Sequence, residues 1–248
     1  MKQFDKHADA YEAIRAKISY PEKLYNMLAN QSPGGDAALD IGCGNGVSTF
    51  RLREYFKFVE GQDLGANLIE HAKKSYPEVS FSVSTGENLK SDRKFNLVTS
   101  ATSFYWMNRD AVLPLIANVL TANGIFCAYK YDFPIVYGPI RKIIENDLAM
   151  RWSRHRDDRL IDFDDTLQKI ENSGSFCDAE RFILSNIIEL TPQQVALFFL
   201  STSYVTRFVD AEGGPEYAND FIQKVCSATT QDKVYVNFDI HGFKARKK

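Results

Sequence analysis

From about residue 36 to residue 131, short apolar runs alternate with stretches of amphipathic, helical character. Ala37–Ile41 is an apolar run that ends in a glycine loop, and Val47–Phe56 has helical spacing. Phe58–Asp63 reads as a second strand, Ala66–Ser75 as a helix stopped by Pro77, and Val79–Val83 as a third strand. Phe95–Ala101, a helix over Asp110–Leu120 stopped at Asn123-Gly124, and a strand over Ile125–Tyr131 complete the rhythm. Strand–helix–strand alternation at this spacing predicts right-handed crossovers and a parallel sheet.

Two regions depart from that rhythm. Residues 1–30 read as helical, with a break at Tyr20-Pro21. Residues 134–175, which include RWSRHRDDR (Arg151–Arg159), read as an insertion capping the sheet. Further on come an apolar strand near Arg181–Leu190, a helix capped by Thr191-Pro192, and a helix over Pro215–Ala228. Lys233–Lys244 alternates strictly, with Val234, Val236, Phe238 and Ile240 on one face. The two late strands predict an antiparallel edge. The expected architecture is α/β: a Rossmann-like, doubly wound, seven-stranded sheet, mostly parallel with an antiparallel final strand. It forms a single domain over residues 1–248, with N-terminal helices and a cap over 134–175.

Composition narrows the functions this fold serves. The 248 residues are 44% hydrophobic, enough for a full core, and the net charge of −2 asks for no nucleic-acid partner. KARKK (Lys244–Lys248) reads as a solvated tail. Cys43, Cys127, Cys177 and Cys226 lie far apart with no His at ligand spacing, so neutral thiols and no metal site are expected. MKQFDKHADAY is charged from its first residues, unlike a secretory signal, and the apolar run VALFFL is too short to span a bilayer. The expectation is a soluble, cytoplasmic protein without a membrane partner. Oligomeric state is not legible.

The chemistry centres on Asp40-Ile41-Gly42-Cys43-Gly44-Asn45-Gly46, at the end of the first strand. In an open parallel sheet, ligands bind beyond the carboxyl ends of the strands, where strand order reverses. Glycines there allow positive φ and close backbone approach. The spacing is Gly-x-Gly-x-Gly rather than the dinucleotide Gly-x-Gly-x-x-Gly, and Asp40 precedes it. An acid there is a poor neighbour for a pyrophosphate and suits a cofactor carrying an ammonium and a sulfonium. Asp63 closes the second strand, 17 residues past Gly46, where a carboxylate can accept both hydroxyls of a ribose; given the loop before it, ribose binding is favoured over the alternative of helix N-capping. The third strand runs into Ser84-Thr85-Gly86-Glu87-Asn88-Leu89, whose backbone and polar groups could read an adenine edge. Glu87 reads equally as surface.

LDIGCGNG, GQDL, STGENL and FNLVTSATSFYW, in that order, resemble the class I S-adenosylmethionine-dependent methyltransferases. The last run resembles the small-molecule branch related to trans-aconitate methyltransferase. There the fourth strand ends in an aromatic pair, usually His-Trp, where this chain has Tyr105-Trp106. Phe4-Asp5-x-x-Ala8-x-x-Tyr11, then Arg15 and Tyr20-Pro21, resemble that family's opening helices, which fold over the cofactor. The resemblance implies S-adenosylmethionine as cofactor and S-adenosylhomocysteine as product. It implies a cofactor set of Tyr11, Arg15, Asp40, Gly42, Gly44, Gly46, Asp63, Leu64, Gly86, Glu87 and Ala101. Tyr11 and Arg15 would meet the methionine carboxylate.

Methyl transfer needs alignment and exclusion of water rather than an acid catalyst, so no catalytic residue is assigned. Pocket candidates by position are Tyr105 and Trp106, Tyr131 and Asp132, Trp152 and His155 in the insertion, and Tyr204 and Arg207, with Arg151 and Arg154 as further cations. The expected activity is methylation of a small molecule, carboxylic acids among the acceptors. A non-catalytic protein that binds S-adenosylmethionine and a nicotinamide-dependent oxidoreductase are the alternatives.

Overall fold

The computed structural model describes Ile18, residues 20–158 and residues 165–248. Tyr11, Arg15 and Arg159 lie outside the described residues. The chain divides into two compact units: residues 20–132, 165–184 and 240–248 form one, and Ile18 with residues 133–158 and 185–239 forms the other. The expected cap boundary does not follow this division, because residues 165–175 belong to the first unit and 133–158 to the second.

The first unit is built on a seven-stranded sheet. Its strands are β1 (Ala37–Ile41), β2 (Phe58–Asp63), β3 (Ser80–Val83), β4 (Phe95–Ala101), β5 (Leu120–Tyr131), β7 (Phe176–Leu184) and β10 (Ile240–Lys247), in the order β3-β2-β1-β4-β5-β10-β7. β3 through β5 pair in parallel, whereas β10 runs antiparallel to both β5 and β7. The mostly parallel sheet with an antiparallel final strand therefore stands as expected. Order reverses between β1 and β4, which places the switch point at the end of the glycine-loop strand. Every residue of β1 is buried, as a strand covered on both faces must be.

Helices α1 (Glu22–Gln31), α2 (Val47–Leu52), α3 (Ala66–Ser75), α4 (Arg109–Val119) and α6 (Thr166–Asn172) belong to this unit. α1 starts after Pro21 and buries Leu24, Tyr25 and Leu28, one stripe at helical spacing. It stops at Ser32, whose hydroxyl donates to the Leu28 carbonyl at 2.8 Å. α4 starts one residue earlier than the apolar pattern suggests, because Asn108 caps it by accepting from Ala111 N–H.

The second unit holds a three-stranded antiparallel sheet, β6 (Ile135–Val136), β9 (Val234–Asn237) and β8 (Ile187–Leu190), in that order. Its helices are α5 (Ile140–Asp147), α7 (Pro192–Leu200), α8 (Ser203–Phe208) and α9 (Gly214–Ser227). Thr191 and Gln194 form a reciprocal capping box at the start of α7, as Thr191-Pro192 foretells. VALFFL is buried along its whole length in α7. Trp152 is fully buried among Phe199, Tyr204 and Phe221, and its indole N–H donates to Tyr217 Oη at 3.0 Å. No helix among the described residues is long and apolar enough to cross a membrane.

Candidate cofactor and acceptor site

The glycine loop is shaped by three left-handed residues: Gly42 at φ +71°, Gly44 at +57° and Gly46 at +84°. An L-residue would be strained at each, but their surroundings differ. A Cβ on Gly42 would come within 2.5 Å of Ser103 Cβ, and one on Gly46 within 2.7 Å of the Phe81 ring. A Cβ on Gly44 would meet nothing within 4 Å. Gly42 and Gly46 are thus demanded by packing, whereas Gly44 keeps open space in front of its backbone.

The loop is tied to the end of β2. Gly42 and Cys43 N–H donate to the Gln62 carbonyl at 2.6 and 3.0 Å. The Asp63 carboxylate takes Gly44 N–H on one oxygen at 2.9 Å and Gly65 N–H on the other at 2.7 Å. A carboxylate offers about four acceptor positions, so two remain. The N-cap of α3 is Gly65 rather than Asp63, so Asp63 orders the turn before the helix instead of capping it, and it keeps acceptor capacity beside the open face of Gly44. Leu64, next in sequence, is 71% exposed.

Asp40 departs from expectation. It is fully buried rather than at the loop's mouth, and it accepts from Thr49 Oγ1 and from Thr99 Oγ1, each at 2.8 Å. The cause is register. Asp40 lies opposite Thr99 on β4 and faces α2, which carries Thr49. Burial pushes its carboxyl up to about 6 against the lowering effect of the two hydroxyls. Its role here is to fasten β1 to β4 and to α2, beneath the loop.

Two serines that sequence reasoning passed over complete the support. Ser100 and Ser103 both donate to the Ile41 carbonyl at 3.0 Å and lie 2.8 Å from each other. Between them, Thr102 has φ +55°, an outlier for a β-branched residue. It is held there by its N–H to the Tyr129 carbonyl at 2.7 Å and by a hydrogen bond between its hydroxyl and that of Tyr20. The run TSATS carries hydroxyls at four of its five positions, a signal visible in the sequence. Ala101 ends β4 just before this kink.

Gly86 is buried, and a Cβ there would lie 2.7 Å from Met107 Sδ. Glu87 accepts from Asn108 N–H at 2.8 Å, a bond that holds its carboxyl below the ordinary range. That bond anchors the N-cap of α4 rather than leaving Glu87 as plain surface. Burial pushes the Cys43 thiol up, so it stays neutral.

Beyond β4, Phe104–Trp106 forms a short 3₁₀ turn. Tyr105 is buried, Trp106 is 39% exposed, and their rings are 5.1 Å apart. Lys130 Nζ lies 5.9 Å from the centre of the Tyr105 ring. Tyr131, which ends β5, packs 6.4 Å from Tyr20. Asp132 pairs with Lys130 at 3.6 Å and with His241 at 3.2 Å.

Tyr204 and Arg207 belong to the second unit. Tyr204 packs against Phe133 and Trp152, and Arg207 donates to the His155 carbonyl at 3.2 Å. Arg151 pairs with the buried Asp147, and Arg154 and His155 with Glu212, so these cations serve their own unit's packing. Trp152, a pocket candidate by position, is instead part of that unit's core.

The β3-β2-β1-β4-β5 parallel run, closed by an antiparallel strand and carrying the glycine loop and an acid on β2, defines a class I methyltransferase fold. The antiparallel β10 separates it from the dinucleotide-binding order, which continues in parallel, and sets the oxidoreductase alternative aside. Residues 38–124 match the family model described as a methyltransferase domain. The Saccharomyces cerevisiae protein named "Probable S-adenosylmethionine-dependent methyltransferase CRG1" is 32% identical over 145 residues, covering 52% of this chain and 50% of that one. A malonyl-[acyl-carrier protein] O-methyltransferase of Acetivibrio thermocellus is 30% identical over 182 residues, covering 72% of this chain and 59% of that one. A solved structure from Anaeromyxobacter dehalogenans, assigned as a type II methyltransferase, superposes with a TM-score of 0.76 at 20% identity, covering 92% of this chain and 96% of that one, and so shares the fold. The chain spans about half the length of the first curated relatives it matches.

The described residues fit the family's cofactor. Gly44 offers open backbone, and Asp63 has acceptor capacity beside it for a ribose diol. When bound, S-adenosylmethionine supplies an electrophilic methyl group on a sulfonium that is already a good leaving group.

Proposed function

We propose that this chain transfers a methyl group from S-adenosylmethionine to a small-molecule acceptor, carboxylic acids being the first class to test. The observation that carries the reading is the Asp63–Gly44 link, which sets an acceptor-rich carboxylate against an open stretch of glycine backbone at the switch point. Gly44 lets the cofactor approach the main chain, and Asp63 accepts from its ribose. Asp40, Thr49 and Thr99 keep the loop's footing rigid from below. Tyr11 and Arg15 are proposed for the methionine carboxylate, as a phenol and a guanidinium suited to it.

Tyr105, Trp106 and Tyr131 are proposed to line the acceptor side, their rings excluding water and orienting the nucleophile at about 3–3.5 Å from the methyl carbon. A carboxylate is ionised at neutral pH and needs no base, which agrees with assigning none. O-methylation of a malonyl group by the Acetivibrio relative, and the resemblance of FNLVTSATSFYW to the trans-aconitate branch, support the carboxylic-acid choice.

Two measurements test this. Calorimetry with S-adenosylhomocysteine is expected to show binding with NAD inert, and labelled methyl transfer to a panel of acids, phenols and amines is expected to mark at least one acid. Binding without transfer to any of them would favour a non-catalytic role. Absence of binding would sink the proposal.

A further inference from the structure

Beneath the glycine loop three hydroxyls form a buried chain that fold stability alone does not require. Tyr25 Oη of α1 lies 3.2 Å from Ser48 Oγ, and Ser48 Oγ lies 2.9 Å from Tyr129 Oη of β5. All three side chains are buried. Hydroxyls removed from water cost free energy unless they satisfy one another, and phenylalanine at positions 25 and 129 would fill the same space without that demand. What a satisfied polar chain adds is a defined distance between the elements it joins.

The elements joined here meet at the site. Ser48 is the second residue of α2, two positions after Gly46. α2 has only six residues, too few to hold its own position, so its side-chain anchors set where it begins. Those anchors are neighbours: Thr49 is fixed to Asp40, and Ser48 to Tyr25 and Tyr129. Tyr129 faces the other way as well. Its carbonyl takes the N–H of Thr102, and its ring meets the edge of Tyr20 at 4.9 Å, the same Tyr20 whose hydroxyl bonds to Thr102. One residue thus touches both the footing of the cofactor loop and the strained end of β4.

We propose that Tyr129 is a positioning residue for the cofactor: through Ser48 its hydroxyl holds the start of α2, and with it the glycine loop, in register with the carboxyl end of β4. The inference rests on the cofactor reading above and adds to it a residue that touches no ligand.

The test is calorimetry of S-adenosylhomocysteine binding to the full chain and to Tyr129→Phe, Ser48→Ala and the double variant, each checked for a cooperative thermal transition. Each single substitution is expected to raise Kd roughly fivefold to tenfold, the worth of one buried hydrogen bond, and the double variant no more than the larger single. Tyr217→Phe, which breaks the hydrogen bond to Trp152 in the second unit, is the control. It is expected to lower Tm with Kd unchanged, so that lost stability is separated from lost positioning. An unchanged Kd in Tyr129→Phe, or additive effects in the double variant, overturns the inference. Should Tyr129→Phe fail to fold, an unchanged Kd in Ser48→Ala does the same. A wild-type chain that does not bind S-adenosylhomocysteine overturns the cofactor reading itself, and this inference falls with it.

Discussion

The Asp63 carboxylate accepts a hydrogen bond from the backbone N–H of Gly44 at 2.9 Å, joining the end of the second strand to the apex of the glycine loop. Charge-assisted bonds of this kind contribute about 1.5–3 kcal/mol. Asp63→Asn keeps the shape but removes the charge and two acceptor positions. Its affinity for S-adenosylhomocysteine is expected to fall at least tenfold by calorimetry. Unchanged affinity would mean that Asp63 shapes the turn and nothing more.

Gly42 and Gly44 are expected to fail differently. Gly42→Ala puts a methyl group into Ser103 and strains the backbone, so it should lower stability by about 2–4 kcal/mol in a denaturant titration. Gly44→Ala meets only open space and should cost about 1–2 kcal/mol from backbone strain, while cofactor affinity collapses. If Gly44→Ala binds S-adenosylhomocysteine normally, the space in front of Gly44 is not the cofactor's.

Asp40 makes stability depend on pH in a definite direction. Its carboxyl titrates near 6 in the fold, against 3.8 for an ordinary aspartate, so the folded state favours the protonated form. Its contribution is greatest below the unfolded value and is lost as pH rises through about 4 to 6, a change on the order of 3 kcal/mol at most. Unfolding free energies of wild type and Asp40→Asn, measured from pH 4 to pH 8, are expected to diverge over that window, with wild type losing ground, and to run parallel above it. A constant difference across the range would contradict the burial argument.

Thr102 offers a test of stored strain. Its left-handed backbone suits glycine, so Thr102→Gly should be more stable than Thr102→Ala by about 1 kcal/mol, although both lose the hydroxyl that meets Tyr20. Equal Tm values for the two variants would show that the kink relaxes without a side chain to hold it.

The parallel half of the sheet was legible because its signals are local. A five-residue apolar strand ending in glycines, an acid at the next strand end and the Thr191-Pro192 cap each declare themselves within a few residues. The antiparallel part was harder. Lys233–Lys244 alternates as though it were one strand, yet β9 and β10 belong to different sheets, and Arg181–Leu190 likewise divides between β7 and β8. Alternation reports which face a residue takes, not which sheet the strand joins. The breaks lie side by side, where Phe238 N–H donates to the Asn186 carbonyl at 2.8 Å and Asn186 N–H to Asp239 at 2.9 Å. Asp40 was misplaced for a related reason. Its motif names the loop, but only pairing with Thr99 decides which way its carboxylate points. Ser48 and Tyr129 carry no motif at all, and what joins them is proximity across the core.

The antiparallel strand β10 lies between β5 and β7, with Phe243 opposite Ala128 on one side and Arg181 on the other. β5 and β7 never pair with each other, so β10 acts as the keystone of that edge. The five parallel strands can assemble while the ribosome is still adding residues, but β7 must wait, unpaired, for a strand made much later. Closure of this sheet is therefore a late, non-local folding event, and the interval before it is when the bare edge of β5 is most open to association with other chains.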